Sequence, residues 1–186
     1  AVRCYIMPGN DDDFCIDPII AAATHVRNPD CRAVDIGGGH QMISGGFSNA
    51  TPWQSAREWP EEKIAACIDE MMADVADPSR AIFNLHCPPY ASGLDTVQQL
   101  DADFRPVYKS GHPVHIPAGS TAVRDAIKRY QPLLALHGHV HEAKGTCKIG
   151  RTLCINPGSE YASDRLHGVL VDVDEKKVQS HLFTAG

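Results

Sequence analysis

Three histidines stand at every second position in LLALHGHVHEAKG: His137, His139 and His141. That spacing suits neither a helix stripe, which recurs every three or four residues, nor a core, and it follows an apolar run that reads as a strand. Two other stretches carry related chemistry. MPGNDDD places Asn10, Asp11 and Asp12 after an apolar segment, and NLHCPP places His86 at the end of another. Imidazole nitrogen with carboxamide or carboxylate oxygen suits zinc, manganese or iron, and a turn carrying two histidines two residues apart can offer both rings to one pocket. Asn10, His86, His139 and His141 are therefore the candidate metal ligands. Each stretch alone also has a plainer reading: a turn with a solvated acidic cluster for PGNDDD, a polar strand cap for His86, and an exposed histidine-rich turn for HGHVH. His137 falls on the opposite side of its turn and reads as a buried ring bonded to backbone.

Ligands so far apart in sequence meet only if the fold carries their strand ends to one rim. VRCYIM (2–7) reads as a strand closed by Pro8-Gly9, and DPIIAAATHV (17–26) as a helix with Asp17 at N-cap and Pro18 at N1. CRAVDIG and HQMISG read as strands around Gly37-Gly38-Gly39. Ile64, Ile68, Met71, Met72 and Val75 recur at helical spacing, which predicts an amphipathic helix over 61–75. RAIFNLH (80–86) and PLLALH (132–137) read as buried strands. Between them lie a Pro- and Gly-rich loop over 87–118 and a helix over 120–130 capped by Ser120. From Thr146 the pattern is strand and turn: CKIG, TLCIN, HGVLVDVD and KVQSHLF, with Glu175-Lys176 in the last turn. Alternating strands and helices imply parallel strands with crossovers, followed by a meander. The fold class is α/β. In parallel sheets, sites form beyond the carboxyl ends of the strands, which is where Asn10, His86, His139 and His141 fall.

At 186 residues, 43% hydrophobic and 22% charged, the chain reads as one globular domain over 1–186. No apolar run approaches the roughly 18 residues of a membrane span, and the opening lacks the pattern of a secretory leader, so a cytoplasmic location is expected. Seven cysteines without a C-x-x-C pair argue against a disulfide framework. A net charge of -6, with no run of Lys or Arg, argues against a broad nucleic-acid surface, though not against a nucleic-acid substrate.

Taken together and in order, these blocks resemble the later motifs of the calcineurin-like metallophosphoesterases. Gly9-Asn10-Asp11-Asp12 matches the G-N turn, His86 the lone His after a strand, Gly138-His139-Val140-His141 the G-H-x-H block, and INPGS (155–159) the strand and turn that follow it. The resemblance covers essentially the whole chain and implies an αββα sandwich of mixed parallel and antiparallel sheets. It implies hydrolysis of a phosphomonoester or phosphodiester by a metal-activated water. The family's first two blocks, D-x-H and G-D, do not occur upstream of Asn10, so the sandwich is expected to lack its first strands. By analogy Asn10, His86 and His139 hold one divalent ion (Mn, Fe or Zn), and His141 is left for the other. A completed site would hold two ions; otherwise one or none. Three explanations stay open: a missing N-terminal piece, a second chain that supplies it, or a reduced site.

The same resemblance puts Asp11 where many members carry a phosphate-contacting or proton-donating His, and gives Asp12 a supporting role behind it. These two are the candidate catalytic residues. His112 and His115, in SGHPVHIP, are the candidate phosphate contacts. INPGSE reads as a tight turn, whether or not Asn156 or Ser159 also lines the pocket. GGFSNATPW lacks the spacing of a nucleotide-phosphate cradle. Cys87 has no basic partner in view and is not read as a nucleophile. His25, His40, His167 and His181 are read as surface or core residues without function. An incomplete parallel sheet exposes an edge and an apolar face, which predicts self-association or pairing with a chain that supplies the missing segment. The rival reading is a binding or scaffold protein on the same fold. A closed structural zinc site is disfavoured, because Gly- and Pro-rich loops at strand ends make an open pocket.

Overall fold

The computed structural model describes residues 2–186; Ala1, the first residue of the expected domain, lies outside the described residues. The elements run α1 (Ile16–Ala22), β1 (Arg32–Gly37), β2 (His40–Gly45), α2 (Glu61–Ala73), β3 (Ile82–Leu85), β4 (Thr96–Gln98), β5 (Tyr108–Lys109), β6 (His112–Pro113) and β7 (His115–Pro117). They continue with α3 (Thr121–Tyr130), β8 (Leu134–Leu136), β9 (Gly145–Ile149), β10 (Thr152–Asn156), β11 (His167–Val173) and β12 (Val178–Ala185). Six strands form the central sheet in the order β1-β2-β3-β8-β10-β9. The inner four, β2, β3, β8 and β10, are mutually parallel, and antiparallel β1 and β9 close the two edges. The expected alternation of strands and helices has this physical outcome: each crossover returns the chain to the same sheet edge, so the carboxyl ends of β2, β3, β8 and β10 share one rim.

Side chains alternate cleanly across this sheet. Ile43, Phe83, Ala135 and Cys154 face α2 and α3 in a core that includes Ile64, Ile68, Met71, Val123 and Ile127. Their chain neighbours Met42, Ile82, Leu134 and Ile155 face the opposite way, against Val169, Val171, Val173, Val178 and Phe183 of the β11–β12 ribbon. The helices form as the periodicity requires. In α2 the buried residues are Ile64, Ile68, Met71 and Met72. In α3 the Ser120 side chain accepts from Val123 N, while the Glu61 carboxylate accepts from Thr121 N and Ala122 N, filling the donors a helix start leaves open.

The layers are thus helices, six-stranded sheet and two-stranded ribbon, a mixed α/β architecture. The outer face of the ribbon is bare: Leu170 and Leu182 are register partners and stand 65% and 63% exposed. The outermost layer of an αββα sandwich does not cover that face among the described residues. Accessible surface totals 10451 Å² for a 20.2 kDa chain, against roughly 8,800 Å² for a compact monomer of that mass.

Two elements differ from expectation. Residues 2–7 do not form a strand; their pairing is confined to a parallel bridge between Tyr5 and Arg27, in which Ile6 N donates to Arg27 O and Arg27 N to Cys4 O, too short to make a ladder. The first helix starts at Ile16 and stops at Ala22, where Ala23 turns extended, and Asp17 sits in its first turn rather than at the cap. The 87–118 loop has structure of its own: β4 pairs with β7, and β5 with β6. Among the described residues no helix is long and apolar enough to cross a membrane.

Candidate metal centre

The rim of the sheet gathers three distant segments. His86 follows β3, and its backbone N–H donates to Gly45 O at the end of β2 (2.8 Å); Gly138, after β8, donates in turn to His86 O (2.9 Å). The PGN turn comes in over the same rim. Gly46 makes that approach possible, since a Cβ there would stand 1.9 Å from the Pro8 carbonyl oxygen. Asp12 closes the turn by accepting from Gly9 N at 2.7 Å.

In the resulting cluster the Asn10 carboxamide oxygen lies 2.8 Å from His86 Nε2 and 3.0 Å from His139 Nδ1, each ring N–H donating to it. Asn10 is 5% exposed. His139 reaches the oxygen from a left-handed backbone (φ 63), a conformation a non-glycine residue adopts at a cost of about 1–2 kcal/mol and one that collects at functional sites. Asn156, fully buried at the end of β10, holds this turn from below, donating to Val140 O at 2.8 Å and Gly138 O at 3.3 Å.

The orientation of Asn10 is set by its amide nitrogen. Nδ2 donates to Ser55 Oγ (2.7 Å) and to Asp11 Oδ1 (3.0 Å). The Ser55 hydroxyl donates on to Glu58 Oε1 at 2.9 Å, and Glu58 is also held by Thr51. With its donor end occupied, the carboxamide can present only oxygen to the two imidazoles. Arg57, 6% exposed, clamps the same turn through Asp12 O (2.9 Å) and Asp17 Oδ1 (2.8 Å), while its own backbone N–H donates to Asn10 O.

Two imidazole nitrogens beside one carboxamide oxygen make a donor set whose chemistry suits a divalent ion, which would take the place of the ring protons that now hydrogen-bond to Asn10. The rings are held neutral, the form that ligates metal. Burial first, then the neighbouring His139, His141 and His137 rings, pushes His86 down to about 3. Burial also lowers His139, against the pull of Asp11. Among the described residues no group of three or more His, Cys, Asp or Glu side chains is placed to share an ion; the Asn10 oxygen makes this a three-donor set.

The other expected site residues are distributed differently. His141 is exposed and stands edge-on to Tyr161, ring centroids 5.3 Å apart, outside the trio. Asp11 is exposed and touches the trio through Asn10 Nδ2; Asp12 braces the turn backbone. His112 and His115 are exposed on β6 and β7, with no side-chain hydrogen bond to the trio among the described residues. His137 is the backbone-bonded ring expected, with Nδ1 at 2.9 Å from Leu85 O; burial pushes it down to about 4. Cys87 donates to Asn49 Oδ1, and burial pushes its thiol up to about 12, so it is no nucleophile. Ser55, Arg57, Glu58 and Asn49 are the residues that sequence reasoning missed. Their segment signalled only a polar, Gly-rich loop, and no spacing rule links it to Asn10.

No protein-family model matches the chain. An uncharacterized protein of Methanocaldococcus jannaschii is 30% identical over 114 residues, covering 60% of this chain and 45% of its own length. The chain therefore spans less than half of this curated relative. One solved crystal structure superposes with a TM-score of 0.60 at 21% identity, covering 88% of this chain and 60% of the other. The crystal structure of TT1561 of Thermus thermophilus superposes with a TM-score of 0.55 at 18% identity, covering 98% of this chain and 71% of the other. At these identities the shared feature is the α/β fold.

Proposed function

We propose that the chain is a metal-dependent phosphoester hydrolase of the calcineurin-like metallophosphoesterase type. One observation carries the reading: His86 and His139, 76 and 129 residues from Asn10 in the chain, each bring a ring nitrogen within 3.0 Å of the Asn10 oxygen at the sheet rim. Their order and strand contexts match the motif blocks on which the resemblance rests. A bound divalent ion would lower the pKa of a water and offset the charge growing on phosphoryl oxygens. The chain's own part is to hold that ion with three neutral donors, to fix the carboxamide by Ser55 and Asp11, and to brace the PGN turn through Arg57 and the GHVH turn through Asn156. Asp11, exposed at the edge of the trio, is the carboxylate nearest the reacting groups.

A single ion accords with the exposed position of His141, whose ring packs edge-on to Tyr161. The rival reading, a binding or scaffold module on the same fold, draws on that feature. Metal analysis, together with hydrolysis of aryl phosphomonoester and diester substrates in added manganese, separates the two. Bound ion with turnover that disappears in His139→Ala supports the hydrolase. An ion-free, inactive chain hands the case to the scaffold reading.

A further inference from the structure

All seven cysteines are free thiols, and two pairs of them bring their sulfurs together from separate elements. Cys147 and Cys154 are register partners on β9 and β10. Cys154 is fully buried in the helix-side core, where a dissolved oxidant has no access. The other pair is placed differently. Cys31 stands where the chain turns into β1, and it is exposed. Its backbone is left-handed (φ 52), with its N–H donating to Ser44 O at 2.8 Å. That conformation is costly for a residue with a Cβ and collects at functional sites. Cys67 lies on α2, which rests against β1. It is half-buried, packed against the same core as Ala33 of β1.

The two thiols are not equivalent. Donation from the Cys31 S–H holds Cys67 below its ordinary value, against burial and the Asp30 and Glu70 carboxylates; Lys63, one turn earlier on α2, adds to the lowering. The same donation, then burial and Asp30, raises Cys31. Cys67 is thus the sulfur that reaches the thiolate first, and the thiolate is the form that attacks a disulfide.

We propose that Cys31 and Cys67 form a thiol–disulfide couple, a modification site at the junction of β1 and α2 that exchanges with small-molecule disulfides such as oxidised glutathione. The Cys67 thiolate attacks one sulfur of the glutathione disulfide, forming a mixed disulfide and releasing one glutathione thiolate. Cys31 gives its proton to that thiolate, attacks the Cys67 sulfur and expels the second glutathione. Two protein thiols are oxidised, and one glutathione disulfide is reduced to two glutathiones.

The test treats the reduced chain with oxidised glutathione, blocks the remaining thiols, and maps the products by intact and peptide mass. The expected product has lost two hydrogens, carries no glutathione and links the Cys31 peptide to the Cys67 peptide; dithiothreitol restores both thiols. Cys31→Ser should trap one glutathione on Cys67, since the sulfur that would displace it is gone. Glutathione retained on the unaltered chain at either cysteine overturns the couple. So does a bond between any other pair, Cys147–Cys154 or two chains included, or failure of Cys31 and Cys67 to react. In Cys31→Ser, a Cys67 that takes up no glutathione overturns the order of attack.

Discussion

Replacing Ser55 by Ala is expected to weaken manganese binding about tenfold without unfolding the chain. The Ser55 hydroxyl accepts from Asn10 Nδ2 at 2.7 Å and donates to Glu58 at 2.9 Å. Without it, Asn10 keeps only the 3.0 Å bond to the exposed Asp11. The carboxamide then rotates more freely and, when reversed, points N–H groups at His86 and His139, where an ion needs oxygen. A neutral hydrogen bond contributes roughly 0.5–1.5 kcal/mol net, and partners behind a ligand change metal affinity by about 10–100-fold. The upper end of the first range and the lower end of the second agree on about tenfold, or about 1.4 kcal/mol. Calorimetric titration of metal-stripped protein with manganese measures it, beside Ser55→Thr, which restores the hydroxyl and should recover most of the affinity. Thermal melts of both variants without metal check that the fold is intact. Unchanged affinity in Ser55→Ala would refute the argument that the relay orients Asn10, and no manganese binding by the parent chain would refute the trio as a site.

Further expectations concern the scaffold. Ile68, fully buried between α2 and the sheet, should cost about 2–5 kcal/mol on replacement by Ala, read from urea unfolding; a loss below about 1 kcal/mol would show that the helix–sheet core is not packed as described. Burial acts to raise the Glu58 carboxyl, but hydrogen bonds from Thr51 and Ser55 outweigh it and leave the pKa lowered. Its stabilising contribution is therefore present above the ordinary carboxylate value, about 4.3, and is lost as pH falls through the lowered folded value. Glu58→Gln should flatten the acid limb of stability against pH, and an unaltered limb would exclude this carboxylate as a contributor. Gly46→Ala should displace the PGN turn, since its Cβ would meet the Pro8 carbonyl oxygen at 1.9 Å; manganese affinity equal to that of the parent would show that the turn is not held by this contact. The bare leucines of the ribbon should drive concentration-dependent association that Leu170→Lys weakens, and sedimentation showing a monomer at all concentrations would count against it.

The strand–helix alternation, the two amphipathic helices and the parallel order at the rim were readable because they rest on local periodicity. Ile64, Ile68 and Met71 repeat at helical spacing whatever lies beyond, and Ser120 caps α3 from the residue next to it. The trio was readable for another reason: Asn and His placed just after apolar runs emerge at strand ends, and parallel strands end on one side. The extended reading of 2–7 failed because a strand is a paired object, and its partner is not written in its own residues.

What only tertiary structure decided was orientation. Sequence put His139 and His141 together; the left-handed backbone at His139 turns its ring to Asn10 and leaves His141 beside Tyr161. Ser55 and Glu58 read as an undistinguished loop until folding set them against the amide of Asn10, 45 residues away in the chain. Residue type and local period determine which groups are available and on which sheet edge they emerge. Which lone pair meets which proton depends on contacts between segments with no spacing relation, so only the packed chain determines it.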